Sequence, residues 1–173
     1  GLRRHFHEHP ELTGKEFQTL LKVSSELEAM GIPYVEIPEG GILATLTGHT
    51  DNGKAVLLRA DLDALAIREP EENLNQKRVC KSQTPGVMHA CGHDIHTAVL
   101  LGTAKLLSEN RDKFEGKVRL VFQPDEELLG GAERLIEKGA MKDVSAVFAF
   151  HVRPELPKGH VQVKYGKSYA AAD

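Results

Sequence analysis

Eleven consecutive residues, Met88 to Ala98, hold one thiol, Cys91, and three imidazoles, His89, His93 and His96. Soft and borderline donors this close together suit a transition-metal ion, and a Cys-x-His pair in an irregular segment reaches one ion, or two neighbouring ions, without strain. Two more sets of donors, Glu126-Glu127 and His151, each follow an apolar run. Carboxylates beside a thiol and an imidazole fit an open catalytic site better than a structural zinc, which takes a closed set of four Cys or His ligands. The chemistry implied is hydrolysis. One ion, or a pair roughly 3.5–4 Å apart, would lower the pKa of a water toward ~7 and polarise a carbonyl. Side chains of adjacent glutamates diverge on an extended backbone, so one can bind metal while its neighbour acts as general base. Glu127 is assigned to the metal and Glu126 to the base, although the residues alone allow the exchange.

Taken singly, each donor has a plainer reading. An isolated His is a satisfied polar residue, a Glu pair a solvated face, a lone Cys a piece of packing. Clustering behind apolar strands reverses that judgement. A Cys91–His93 nucleophilic dyad ranks below the metal site, because the two residues are only two apart and no orienting partner is evident.

For these donors to converge, the runs before them must be strands whose carboxyl ends open on one crevice. Val118 to Phe122 and Val144 to Phe150 are apolar enough to be central strands buried on both faces. A helix from about Gly131 to Lys138, ended by Gly139, lies between them. Asp94 is the expected N-cap of a helix reaching about Leu107. Upstream, Thr13-Gly14-Lys15-Glu16 has the form of a capping box. Phe17, Leu20, Leu21, Leu27 and Met30 behind it keep helical spacing until Gly31-Ile32-Pro33. Tyr34–Ile37, Gly41–Leu46 and Ala55–Ala60 read as strands of a meander turning at Thr50–Gly53. Residues 66 to 87 are polar and irregular, a long loop of the kind that carries function. Val161–Lys164 reads as a last, half-buried strand. Alternating strands and helices in the second half predict a layered α/β domain with helices on both faces.

The chain's 173 residues suffice for one domain with a real core. Its 22 basic and 25 acidic residues give a net charge of -3, with no basic block to meet nucleic acid and no charged tail. Trp is absent, and the longest apolar runs are too short for a bilayer. Gly1-Leu2-Arg3-Arg4-His5 lacks the apolar core of a signal peptide and does not start with Met. Two cysteines, Cys80 and Cys91, make no disulfide framework, so a cytoplasmic setting is expected. The final Ala170-Ala171-Ala172-Asp173 has no cap or closing helix and reads as a cut end.

Ordered motifs cover nearly the whole chain: His7-Glu8-His9-Pro10-Glu11-Leu12, Arg59-Ala60-Asp61-Leu62-Asp63-Ala64-Leu65, Pro85 through Asp94, Phe122-Gln123-Pro124-Asp125-Glu126-Glu127, Gly130-Gly131-Ala132, His151-Val152 and Ala170–Asp173. On these the chain resembles the amidohydrolase branch of the aminoacylase/carboxypeptidase metallopeptidases, which includes hippurate, N-acyl-amino-acid and auxin-conjugate hydrolases. The resemblance implies a three-layer, zinc-exopeptidase-like α/β catalytic domain with a mixed central sheet. It implies two divalent ions, manganese or zinc, with cobalt or nickel as further options. The implied ligands are Cys91, His93, Glu127 and His151, with Glu126 as catalytic base and Asp63 as a carboxylate that orients a ligand. Related carboxypeptidases carry a ligand His where this chain has Asp61. The implied substrate is a small N-acyl amino acid or similar conjugate; the rivals are peptide cleavage by a carboxypeptidase or dipeptidase, and an inactive metal-binding fragment. Residues 1–173 are then the N-terminal part of the catalytic domain. A lid and homodimerisation domain and a late ligand His would lie beyond, so the piece alone is expected to bind metal weakly. Ala66, Leu128-Leu129, Arg153 and the polar Glu71–Lys81 depart from the family pattern. His96 is expected to support the site. His7 and His9 are expected to organise the first helix, and Cys80 and His160 to have no role.

Overall fold

A computed structural model of the chain describes residues 1–73, 76–128 and 130–163. Helices α1 (Leu2–Glu8) and α2 (Phe17–Ala29) precede strands β1 (Tyr34–Ile37), β2 (Gly41–Thr47) and β3 (Ala55–Asp61). A small hairpin, β4 (Glu72–Asn73) and β5 (Gln76–Lys77), leads to the long helix α3 (His93–Ser108). Then come β6 (Lys117–Gln123), α4 (Gly131–Glu137) and β7 (Val144–Ala149).

Five strands form one mixed sheet in the order β1-β2-β6-β3-β7. The arrangement follows from β6, whose run Val-Arg-Leu-Val-Phe has apolar residues for both faces. Val118, Leu120 and Phe122 meet a core built with Phe6 of α1, Val23 and Leu27 of α2, and Leu100, Leu101 and Ala104 of α3. Val121 faces the other way, with Leu57 of β3 and Leu135 of α4. Helices therefore cover both faces, as the alternation predicts. β3 pairs in parallel with β6 and with β7, while β2 runs antiparallel to β6. The carboxyl ends of β3, β6 and β7 thus share one edge of the sheet. No helix among the described residues is long and apolar enough to cross a membrane.

Several expectations are corrected. The first three strands are no meander: β1 and β2 form a hairpin, but β6 is inserted between β2 and β3. Val144–Ala149 is an edge strand among the described residues, with Val147 and Phe148 more than half exposed. Residues 161–163 form no strand and are exposed, and Lys164 lies outside the described residues. The loop from 66 to 87 contains the β4–β5 hairpin. Thr13 and Glu16 form no capping box, because both side chains are spent elsewhere. The free amides of α2 are instead met by Glu11, whose carboxylate accepts from Gln18 N–H at 3.1 Å and Thr19 N–H at 2.7 Å. Asp94 is not the N-cap of α3 either. Gly92 holds that place, and the Asp94 carboxylate turns to His7. Helix α1 was not legible from spacing, since only Leu2 and Phe6 of its residues pack against the core.

Candidate metal centre

Each predicted donor sits at the shared carboxyl edge. Asp63 follows β3, Glu126 and Glu127 follow β6, His151 follows β7, and Cys91 and His93 stand at the mouth of α3; Asp61, not foreseen as part of the site, ends β3. Gly92 between them has φ +80°, a left-handed conformation, and a Cβ there would lie 2.3 Å from Val152 Cγ2. Only glycine fits this close approach. The segment carrying His151 is thereby packed directly against the Cys-Gly-His turn.

His93 is almost wholly buried. Its Nδ1 donates to the Asp63 carbonyl oxygen at 2.8 Å, which leaves Nε2 as a bare lone pair. Facing that nitrogen are Glu127 Oε1 and Glu126 Oε2, each at 3.9 Å, and Asp61 Oδ2 at 3.6 Å. Donor atoms of Cys91, His93 and Glu127 all lie within 4.8 Å of one another. His93 Nε2 and Glu127 Oε1 are buried and have no hydrogen-bond partner. Two buried acceptors aimed at common space, beside a thiol, fit a divalent cation, which would satisfy both at once.

Charge points the same way. Burial, Glu127, Glu126 and Asp61 push the Cys91 thiol up to about 12. A cation would be needed to free that proton. Burial pulls His93 down, but Asp63 and Asp61 outweigh it and raise its pKa. The Asp63 carboxyl resists burial and is held at about 2 by His93, the Glu127 N–H and Thr13. Thr13 Oγ1 donates to Asp63 Oδ2 at 2.7 Å, and the Glu127 N–H donates to the same oxygen at 3.0 Å. Asp63 therefore ties His93 to the Glu126-Glu127 turn. Burial raises the Glu126 carboxyl.

His151 is near this group without joining it. Its ring lies 6.4 Å from the His93 ring and 4.8 Å from that of His96. It is exposed, and its Nδ1 donates to the Val152 carbonyl oxygen. Asp61, His93 and His96 form a second close group. In it the atoms of Asp61 and His96 are already occupied: His96 Nδ1 donates to Asp61 Oδ1 at 2.6 Å, and Arg59 donates to Asp61 Oδ2 at 2.7 Å. Asp61 and His96 thereby bond to each other beside His93.

Residues missed by the sequence reading are Thr13, Glu16, Arg59 and Asp61 as supports. Thr13 and Glu16 were hidden by their resemblance to a helix cap. His7 lies inside the unforeseen α1 rather than before the helix that follows Thr13, and both its ring nitrogens reach carboxylates, Asp94 Oδ2 and Glu69 Oε1, at 2.9 Å. His9 stays local, its Nδ1 donating to the His5 carbonyl oxygen. Cys80 is buried against Glu8, and His160 is exposed.

Residues 57–171 match peptidase family M20/M25/M40, and the chain belongs to that family. It is 42% identical over 175 residues to an N-acetylcysteine deacetylase of Bacillus subtilis, covering 100% of this chain and 44% of that relative. It is 43% identical over 178 residues to thermostable carboxypeptidase 1 of Saccharolobus solfataricus, covering 99% of this chain and 43% of that relative. The chain thus spans less than half the length of these relatives. The crystal structure of a Bacillus subtilis protein, described as a dinuclear metal-binding peptidase from the M20 family, superposes with a TM-score of 0.87 at 42% identity. That match covers 95% of this chain and 45% of the other. The resemblance read from the motifs is borne out, as is the layered α/β fold.

Proposed function

We propose that the protein is a metal-dependent amidohydrolase that cleaves the amide bond of N-acyl amino acids or similar small conjugates. One observation carries this reading: the bare Nε2 of His93 and the unpartnered Oε1 of Glu127, both buried, face each other across 3.9 Å beside the Cys91 thiol. Cys91, His93 and Glu127 would hold a divalent cation, and His151, after a turn of its exposed ring, would join them. The dinuclear solved relative supports a pair of ions, and the mixed thiol, imidazole and carboxylate set suits zinc or manganese. Bound there, a divalent cation supplies Lewis acidity and lowers the pKa of a water toward ~7.

Glu126 is the general base. It shares the mouth of the site with Glu127, its side chain is more open to solvent, and burial holds its carboxyl above the usual range. It takes the proton of the attacking water and delivers it to the leaving amine nitrogen as the C–N bond breaks. Asp63 keeps the His93 ring in the tautomer that leaves Nε2 free and fixes the Glu127 backbone. The N-acetylcysteine deacetylase relative favours an N-acyl substrate, whereas the carboxypeptidase relative keeps peptides as a second reading.

Glu126→Gln tests the assignment. The variant keeps stoichiometric metal, measured by elemental analysis, and loses turnover by about 10²–10⁴-fold on a panel of N-acetyl, N-benzoyl and dipeptide substrates. Near-native hydrolysis by this variant would remove Glu126 from the mechanism.

A further inference from the structure

The turn that carries both glutamates is held in a backbone conformation that ordinary residues avoid. Asp125 has φ +55°, in the left-handed region that few non-glycine residues enter. It stands between Pro124 and the Glu126-Glu127 pair, so its conformation sets the direction in which both side chains leave the strand β6. Three contacts fasten it. The Asp125 N–H donates to Glu16 Oε1 at 2.8 Å. Arg134 donates to Asp125 Oδ2. The Gly131 N–H donates to the Asp125 carbonyl oxygen at 3.1 Å. Gly131 is also pressed against the turn, since a Cβ there would lie 1.8 Å from the Pro124 oxygen.

Glu16 is the unusual member of this clamp. It comes from 109 residues away in sequence and is only 3% exposed. Burying a carboxylate is costly, and its pKa is raised by that burial. The α2 amides it would have capped are served by Glu11. We propose that Glu16 is a positioning residue: by accepting the Asp125 N–H it holds Asp125 in the left-handed conformation that turns Glu126 and Glu127 toward His93. This inference rests on the metal reading of Glu127 given above.

Zinc affinity of the full natural chain, read by competition with a chromogenic chelator, tests it. Glu127→Ala is the control for the metal reading. Glu16→Ala should weaken zinc by roughly 10–100-fold, the range for outer partners of a ligand. Glu16→Gln keeps an acceptor oxygen and should retain the affinity. Adding Asp125→Gly to Glu16→Ala should restore it, because glycine takes positive φ without strain; a simple packing defect at position 16 would not be cured this way. Native affinity in Glu16→Ala, or no recovery in the double variant, overturns the proposal while a weakened Glu127→Ala keeps the metal reading intact. Native affinity in Glu127→Ala overturns both. Should Glu16→Ala not fold, Glu16→Met, close in volume but without an acceptor, decides the matter alone and together with Asp125→Gly. Weak binding by the first and recovery in the second support the clamp; native binding by the first, or no recovery in the second, overturns it.

Discussion

The Nε2 of His96 accepts the Val152 N–H at 3.0 Å, across 56 residues of sequence. Because that nitrogen accepts, the ring proton sits on Nδ1, where it goes to Asp61. His96 therefore links the end of β3 to the segment that carries His151.

Replacing His96 with Phe keeps the ring volume and removes both bonds. It leaves the buried Asp61 with one partner fewer, at about 1–3 kcal/mol. The expected outcome is a lower melting temperature and metal affinity reduced about tenfold or more. His96→Gln, with one donor and one acceptor, should recover part of the affinity. Equal binding by wild type and His96→Phe would show that His151 does not depend on this link.

Gly92→Ala places a methyl group where Val152 Cγ2 already lies, on a residue with φ +80°. The backbone alone costs about 1–3 kcal/mol. Adding Val152→Ala relieves the clash but not the dihedral cost, so stability in the double variant should recover only in part. Urea unfolding of the two variants separates the terms. Complete recovery would mean that the left-handed conformation carries no cost.

His7 gives the fold a pH signature. Both its ring nitrogens face carboxylates, so the imidazolium satisfies Asp94 and Glu69 together. Asp94 raises the His7 pKa from 6.5 against the opposing pull of burial, and Glu69 adds to the rise. A raised folded pKa means that this stabilisation is complete below pH 6.5 and fades as pH climbs through the folded value. Burial works against Glu69 and Asp94, yet the Ser82 N–H and His7 hold Glu69 below 4.5, and His7 holds Asp94 below 3.8. Their contribution is complete above those values and is lost as pH falls further. The cluster is therefore strongest between about pH 4.5 and 6.5. His7→Gln should remove the decline above pH 6.5 relative to wild type. Removing one partner of buried charges should also cost about 3–5 kcal/mol. Unfolding free energies measured from pH 4 to 8 check both; parallel pH curves for the two proteins would contradict the assignment.

Much of the site was legible because its chemistry is concentrated in residue types. Cys91 and His93 form a dense pair of soft and borderline donors, Glu126 and Glu127 follow an apolar run, and Val118–Phe122 carries apolar residues for both faces of a sheet. Their convergence follows from the parallel placement of β3, β6 and β7, which puts three strand ends on one edge. Local polar patterns were the weak point. Thr13-Gly14-Lys15-Glu16 and Asp94 carry the letters of helix caps, yet their side chains are drawn to Asp63, Asp125 and His7.

The sequence by itself marked candidate metal donors, most of the strands that precede them and the family the motifs belong to, because periodicity and donor chemistry are local properties. Tertiary structure decided the rest: the insertion of β6 between β2 and β3, the bare nitrogen of His93, the spent oxygens of Asp61 and the left-handed turn at Asp125. Each of these depends on a partner tens of residues away, for Asp61 on His96 beside its near neighbour Arg59. A hydroxyl or carboxylate serves whichever donor or acceptor the folded core brings within 3 Å, and that choice is not written in its neighbours.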